Sequence, residues 1–283
     1  MTWAPIRNAS YSVTIGGTEQ TVSWHYGTGP TVPLSFKKIW FDDASALLTP
    51  VWGWQRTGNY VGISPSMRAA TVRLVSDAST AADMQELTQL CDAAIAAATP
   101  GTLTLSLGPS AQNYVNSKLR CYMVPGALSD WYWKEGLMRQ EFDVVPVDQY
   151  WYWTLGSFHA SANGGRNYAV ITSPLGADID MAWESPAGAD PRLTISPNEQ
   201  GTAFTNVYGV NATASGAVSI STRDRAVAID GANGFDKRID GAKGSGSYIF
   251  ETIPAGSYVL TNGGSTECVA TITQILAAPK WQI

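Results

Sequence analysis

Short runs in which apolar and polar residues alternate, cut at close intervals by glycine, proline or serine, constrain this chain more than any other feature. A period of two is the signature of a half-buried strand, and many such runs in succession leave room only for a mostly β fold. Leu103, Leu105 and Leu107 alternate with Thr104 and Ser106 before Gly108-Pro109 breaks the run. Leu119, Cys121 and Met123 repeat the pattern, as do Met138, Gln140, Phe142 and Val144, and Ala70, Val72 and Leu74 share one face of a clean run from 70 to 75. Tyr11 to Ile15 alternate into Gly16-Gly17, a hairpin signal. Further turns are predicted at Gly27-Thr28-Gly29-Pro30 and Ser64-Pro65-Ser66.

One segment breaks the two-residue rhythm. Met84, Leu87, Cys91, Ala94, Ile95 and Ala98 recur at helical spacing. Thr80 is placed as N-cap with Asp83 three residues on, and Pro100-Gly101 ends the helix, because the residue before proline is pushed out of helical dihedrals. Such a stripe is the amphipathic pattern of a packing face rather than a cofactor contact. Many short strands with one helix predict a mostly β, α+β architecture: a sandwich or barrel with the helix lying on it.

Past residue 157 the texture changes. Nine of the eleven tryptophans lie at or before Trp153, and Ser161-Ala162-Asn163-Gly164-Gly165 reads as a linker. Strands are predicted at 192–195, 217–221, 226–229, 248–252 and 269–275, separated by turns at the spacing of an all-β sandwich. This divides the chain into a first domain, 1–157, and a second, 158–283.

The 283 residues suffice for two ordinary cores without disulfides or metals. Charged residues make up 14% of the chain, against a usual share of about 25%. A surface this poor in charge suits either a protein that covers itself with partners or a Gly/Ser/Thr-rich β protein. The net charge is −5 and no run of Lys or Arg stands out, so nucleic-acid recognition is not expected. No stretch approaches the roughly 20 apolar residues of a membrane-spanning helix, and no membrane insertion is expected. Residues 1–7 lack the apolar core of a signal peptide, and Cys91, Cys121 and Cys268 are odd in number and widely spaced. Together these predict reduced, buried thiols in a cytosolic product.

A search for chemistry yields no catalytic residue, cofactor site or metal site. His25 and His159 stand in no metal-ligand spacing, and no nucleophile elbow, phosphate loop or dinucleotide fingerprint occurs. Gly241 to Gly246 is glycine-rich but lacks the Gly-Lys-Ser/Thr ending of a phosphate loop, and reads as a hairpin tip. Asp178 and Asp180, with Glu184 nearby, form an acidic pair without the glycine or further oxygen ligands of a calcium loop; they read as solvated residues on the outer face of a strand.

The one excess is aromatic. Trp131-Tyr132-Trp133 and Tyr150-Trp151-Tyr152-Trp153 are dense clusters. Consecutive aromatics on a strand point to alternate faces, so one set packs in a core and the other needs a second partner: a domain, a subunit or a ligand. Trp131, Trp133, Tyr150, Trp151 and Trp153 are therefore the candidate interface residues, serving packing and subunit contact.

The order of these features resembles the distal tail proteins of siphophages, especially those of actinobacteriophages. Thr71 to Val75, the helix, Thr102 to Leu105, and then Phe142-Asp143-Val144-Val145-Pro146-Val147-Asp148-Gln149-Tyr150-Trp151-Tyr152 look like that family's first domain, whose closing strand runs into an Asp-Pro-Tyr-Trp-like motif; here Gln149 stands where proline is usual. Pro191 to Ile195, Ala226 to Asp230, and Ile253-Pro254-Ala255-Gly256-Ser257-Tyr258 look like segments of its second domain. The resemblance implies a tail-tube-like β-sandwich or barrel followed by a galectin-like β-sandwich. It implies a structural, non-enzymatic virion protein at the distal end of the tail. There a homohexameric ring would join the tail tube protein to the tail-tip hub and other minor tail proteins. Two alternatives stand beside it: a carbohydrate-binding module with weak host glycan contact, and a tail-tube protein with a decoration domain.

Overall fold

The computed structural model describes residues 6–25, 39–42, 51–57, 60–66, 70–77, 81–108, 114–128, 137–148, 150–184, 191–198, 204–211, 216–239, 249–277 and 280. The chain is mostly β with one α-helix among the described residues, and it forms large antiparallel sheets. It divides into two compact units: residues 1–153 with 276–283, and residues 154–275.

The first unit holds β1 (Ile6–Ile15), β2 (Thr18–His25), β3 (Ile39–Asp42), β4 (Val51–Thr57), β5 (Tyr60–Ser66), β6 (Ala70–Asp77), α1 (Ala81–Ala96), β7 (Gly101–Leu107), β8 (Val115–Leu128) and β9 (Leu137–Pro146). Its main sheet runs β2-β1-β7-β8-β9-β6-β3. β1 and β2 meet through Gly16 and Gly17, whose φ values of 58° and 82° are those of a tight hairpin turn that glycine adopts without strain. The alternation read from the sequence is the burial observed: Leu103, Leu105, Leu107, Leu119, Cys121, Met123, Phe142 and Val144 all face one core with Tyr11 and Val13. Tyr11 donates its hydroxyl to the Cys121 carbonyl at 3.2 Å, and a Cβ on Gly101 would lie 2.4 Å from the Tyr11 ring. Glycine at 101 is thus what lets β7 pass over the tyrosine.

α1 lies against β8 and also touches β1, β2 and β6. Met84, Leu87, Leu90, Cys91 and Ala94 are buried, whereas Ile95 is 43% exposed and Ala98 is exposed too. At about 100° per residue, the buried arc is centred over Leu87 and reaches Leu90. Ile95 therefore falls on its rim, which corrects the expected face. Thr80, the expected N-cap, lies outside the described residues. The helix ends before Pro100: Thr99 N–H donates to Ala94 O and Ala98 N–H to Ile95 O, with Ala98 at φ 50°. This is a Schellman ending with alanine where glycine is usual. Ser64-Pro65-Ser66, expected as a turn, is the end of β5 in the two-stranded β4-β5 sheet. A ribbon with open edges tolerates a proline that lacks its donor. The expected turn at 27–30 lies outside the described residues.

β10 (Trp151–Ala160) carries the chain from the first unit into the second. There follow β11 (Arg166–Ile171), β12 (Ala177–Trp183), β13 (Arg192–Pro197), β14 (Asn206–Gly209), β15 (Val218–Ser221), β16 (Ala226–Ile229), β17 (Ala232–Asn233), β18 (Gly256–Asn262) and β19 (Cys268–Leu276). One sheet runs β17-β16-β15-β12-β19-β10 and the other β11-β18-β13-β14. Ile179, Met181 and Trp183 from the first, and Leu193, Ile195, Tyr258 and Leu260 from the second, join a single core, as in a β-sandwich.

Ser161 to Gly165 is a turn within this unit, not a linker. Asn163 N–H donates to Gly264 O, Gly164 N–H to Asn262 O, and Asn262 N–H to Gly165 O. The fully buried Asn262 is the reason: its Nδ2 lies within 2.7–3.1 Å of the carbonyls of Ala160, Ser161 and Thr266, and its Oδ1 accepts from Gly264 N–H and Trp183 Nε1. Of the expected strand at 248–252, Tyr248 lies outside the described residues and 249–252 form no strand; Ile249 and Phe250 are buried in a turn, and Ile253 forms an isolated bridge to Ala177.

Candidate interaction surfaces

Burial pushes the thiols of Cys91, Cys121 and Cys268 up to about 12, so they stay protonated and inert. His159 is exposed and its Nδ1 lies 2.9 Å from Glu267 Oε1, while the side chain of His25 lies outside the described residues. Among the described residues no three His, Cys, Asp or Glu side chains gather as a metal site. Gly241 to Gly246 lies outside them.

Asp178 and Asp180 both project from β12 away from the sandwich core, but only Asp180 keeps solvent contact. Residues 222–225 turn over Asp178: Ile179 N–H donates to Thr222 Oγ1, and Thr222 N–H donates back to Ile179 O. Asp178 is left 7% exposed, with the Thr222 hydroxyl 3.4 Å from Oδ1. Burial raises its carboxyl above the ordinary value; Arg223 and Thr222 pull it down, and Asp180 and Asp224 push it further up. The expectation of two solvated carboxylates is corrected at Asp178, because strand alternation does not foresee a turn folding back over the outer face.

Of the five aromatic candidates, Trp131 and Trp133 lie outside the described residues. Trp151 is 1% exposed in the first unit's core, and Tyr152, paired with Lys118 of β8, is buried as well. Tyr150 and Trp153 are half-buried. The end of the chain returns here. Lys280 N–H donates to Ser117 Oγ at 2.8 Å, and Lys280 Nζ sits 4.2 Å from the centroid of the Trp153 ring. That cation–π contact occupies one face of the Trp153 ring.

Two further apolar surfaces appear that the sequence reading did not single out. On the outer face of β8 and β9, half-buried Tyr122 is paired with Val145, beside Val124 and Val147, which like Val145 are more than a third exposed. On β11, Tyr168 and Val170 point out while Ala169 and Ile171 point in. Period two was the signal in both places, but every second residue there is also apolar or aromatic, and the alternation is lost in a uniform run. Phe235, also exposed, stacks on Phe250 and lies 4.0 Å from the Arg238 guanidinium carbon.

No family model matches the sequence. No curated protein matches it. Solved structures do. The fold is similar to the SPP1 Dit (gp 19.1) protein, described as a paradigm of the hub adsorption apparatus in Gram-positive infecting phages, at 10% identity and TM-score 0.48 over 95% of this chain and 99% of that one. It is similar to a chain of the phage P2 baseplate in its activated conformation with Ca, at 10% identity and TM-score 0.57 over 95% and 98% of the two chains. The same baseplate with Sr gives TM-score 0.51 at the same identity and coverage. At this identity the baseplate chains share the fold, from one end of each chain to the other.

Proposed function

We propose that this chain is a structural subunit of the distal end of a bacteriophage tail. The observation that carries the reading is the end-to-end likeness to a phage baseplate chain, covering 95% of this chain and 98% of the other. The buried, protonated thiols fit a structural role. In finer terms, the first unit is read as tail-tube-like and ring-forming, six copies closing around a channel by a heterologous contact whose rotation closes. The second is read as a galectin-like sandwich at the periphery. The ring would join the tail tube to the tail-tip hub. Trp151 has no surface left for a neighbour, so the subunit contact proposed for the aromatic cluster falls to Tyr150 and Trp153, with Trp131 and Trp133, which lie outside the described residues, and the β8-β9 outer face as a further candidate.

The test is negative-stain microscopy of virions labelled with an antibody to this chain, alongside the purified protein. Label confined to the tail end away from the capsid, and rings of uniform size from the protein, are expected. Label spread along the whole tail would make it a tube protein with a decoration domain. Unlabelled virions would refute the reading.

A further inference from the structure

We propose that the free edge of β11 is a docking strand, to which an extended acidic segment of a different polypeptide adds as a fifth strand of the sheet β11-β18-β13-β14. The proposal relies on the tail-tip reading for where that partner is found.

The argument starts from how this unit treats its strand edges. An unpaired edge offers a row of backbone donors and acceptors, and folded proteins blunt it by shortness, proline, bulges or a covering segment. β14, at the far end of the same sheet, is four residues long and is covered: Asn211 N–H donates to Lys237 O, Ile239 N–H donates to Gly209 O, and Val210 bridges Arg238. β17, at the end of the other sheet, has two residues. β11 is neither short, proline-bearing nor bulged, and among the described residues no strand pairs with its other edge. Its six residues pair with β18 in unbroken register from Arg166↔Thr261 to Ile171↔Gly256, contain no proline, and end the sheet.

The side chains beside that edge are equally unguarded. Tyr168 is 62% exposed and Val170 56%, the two most exposed large apolar side chains among the described residues. Aromatic and β-branched residues at alternate positions are what stabilise a cross-strand neighbour. The occupant is therefore an extended strand, with backbone bonds supplying affinity and alternate apolar side chains facing Tyr168 and Val170.

Charge selects among strands. The four strands of this sheet carry Arg166 and Arg192 and no carboxylate, in a chain whose net charge is −5. A second copy of β11 would bring another arginine to an arginine-bearing sheet. A segment with Asp or Glu placed for Arg166 complements it.

The test replaces Tyr168 with photoreactive benzoyl-phenylalanine in the chain as it is built into virions, irradiates purified particles and sequences the cross-linked peptide. The expected product joins position 168 to an acidic, alternately apolar segment of another tail protein. Its yield should fall at least tenfold with Arg166→Glu and only a fewfold with Arg166→Gln, both variants being incorporated at normal levels. A cross-link to this chain itself overturns the proposal in favour of self-pairing. A neutral or basic partner, a glycan adduct, or no adduct from particles that contain the chain also overturns it, leaving the tail-tip reading intact. Particles that lack the chain sink both.

Discussion

The two units bury their interiors by different means. In the first, the described core is mainly apolar, with few buried polar side chains such as Ser106, Ser117 and Gln140: one helix stripe and the inward sides of alternating strands converge on Tyr11 and Trp151. In the second, a comparable apolar core is threaded by buried polar side chains, among them Asn206, Asn262, Gln274, Thr222 and Asp178. Most of those groups tie turns down. Asn262 holds the 161–165 and 264–266 turns, and Gln274 Oε1 accepts from Thr172 N–H, Thr172 Oγ1 and Ser173 N–H. A helix gives the first unit a ready-made second layer. A sandwich of short strands has more turns to anchor, and buried amides anchor them.

If that contrast is right, each unit has its own kind of weakest point. Trp151→Ala should be the most damaging single change in the first unit, costing about 3–5 kcal/mol through the cavity it leaves. Asn262→Ala should be its counterpart in the second, costing about 3 kcal/mol, because several backbone groups and the Trp183 Nε1 lose their partner at once. Hydrogen exchange read peptide by peptide separates the two. Trp151→Ala should lower protection across 84–144 and Asn262→Ala across 160–275. Equal loss everywhere with either variant would mean that the units unfold as one body and the contrast has no energetic content.

The same contrast governs what the sequence discloses. Period two and the helix stripe are local statistics of apolar residues, so β1, β6 to β9, α1 and the strands at 192–197, 218–221, 226–229 and 268–276 were legible. Long-range capture of turns by amides is not a local statistic. Nothing around Asn262 marks it as the clamp on residues a hundred positions earlier, so Ser161 to Gly165 looks like a linker on composition alone. β12 was read only through its outward side, Asp178 and Asp180 as a solvated pair on a strand, while its inward side, Ile179, Met181 and Trp183, was not singled out. Of the candidate interface, the aromatic cluster was visible as an excess. Which of its members face inward depends on how β10 leaves β8, which no local pattern encodes.

Asp178 sharpens the comparison with a smaller effect, because it is a buried polar group that opposes rather than anchors the fold. Its folded pKa is raised, so the folded chain holds the proton more tightly than the unfolded chain does. Stability from this group therefore falls as pH rises from the ordinary carboxylate value, about 4, toward the raised one. Asp178→Asn removes that slope. The variant should be more stable than the parent at pH 7, by on the order of 1 kcal/mol, and should match it near pH 3. Urea unfolding at both pH values reads the difference. A variant less stable at pH 7 would show that Arg223 and Thr222 outweigh burial.

The smallest expected effect lies in the first unit and concerns backbone rather than packing. Ala98 sits at φ 50° after α1, the left-handed position of the Schellman ending that Thr99 and Ala98 complete with their bonds to Ala94 and Ile95. A Cβ there costs roughly 1–2 kcal/mol, which glycine avoids. Glycine also loosens the unfolded chain, which takes back a large part of the gain. Ala98 is exposed, so its methyl contributes little packing. Ala98→Gly should thus stabilise by about 0.5–1 kcal/mol, a rise in melting temperature of roughly 1–4 °C for a unit of this size. The gain should appear as slower exchange in the last turn of α1, with peptides of the second unit unchanged. Because α1 packs on β8 and touches β1, β2 and β6, tightening its end is a direct probe of whether the helix holds the first unit together. A stabilised α1 that leaves exchange in β7 and β8 untouched would show that the sheet stands without its helix, and that the two units are closer in construction than their cores make them look.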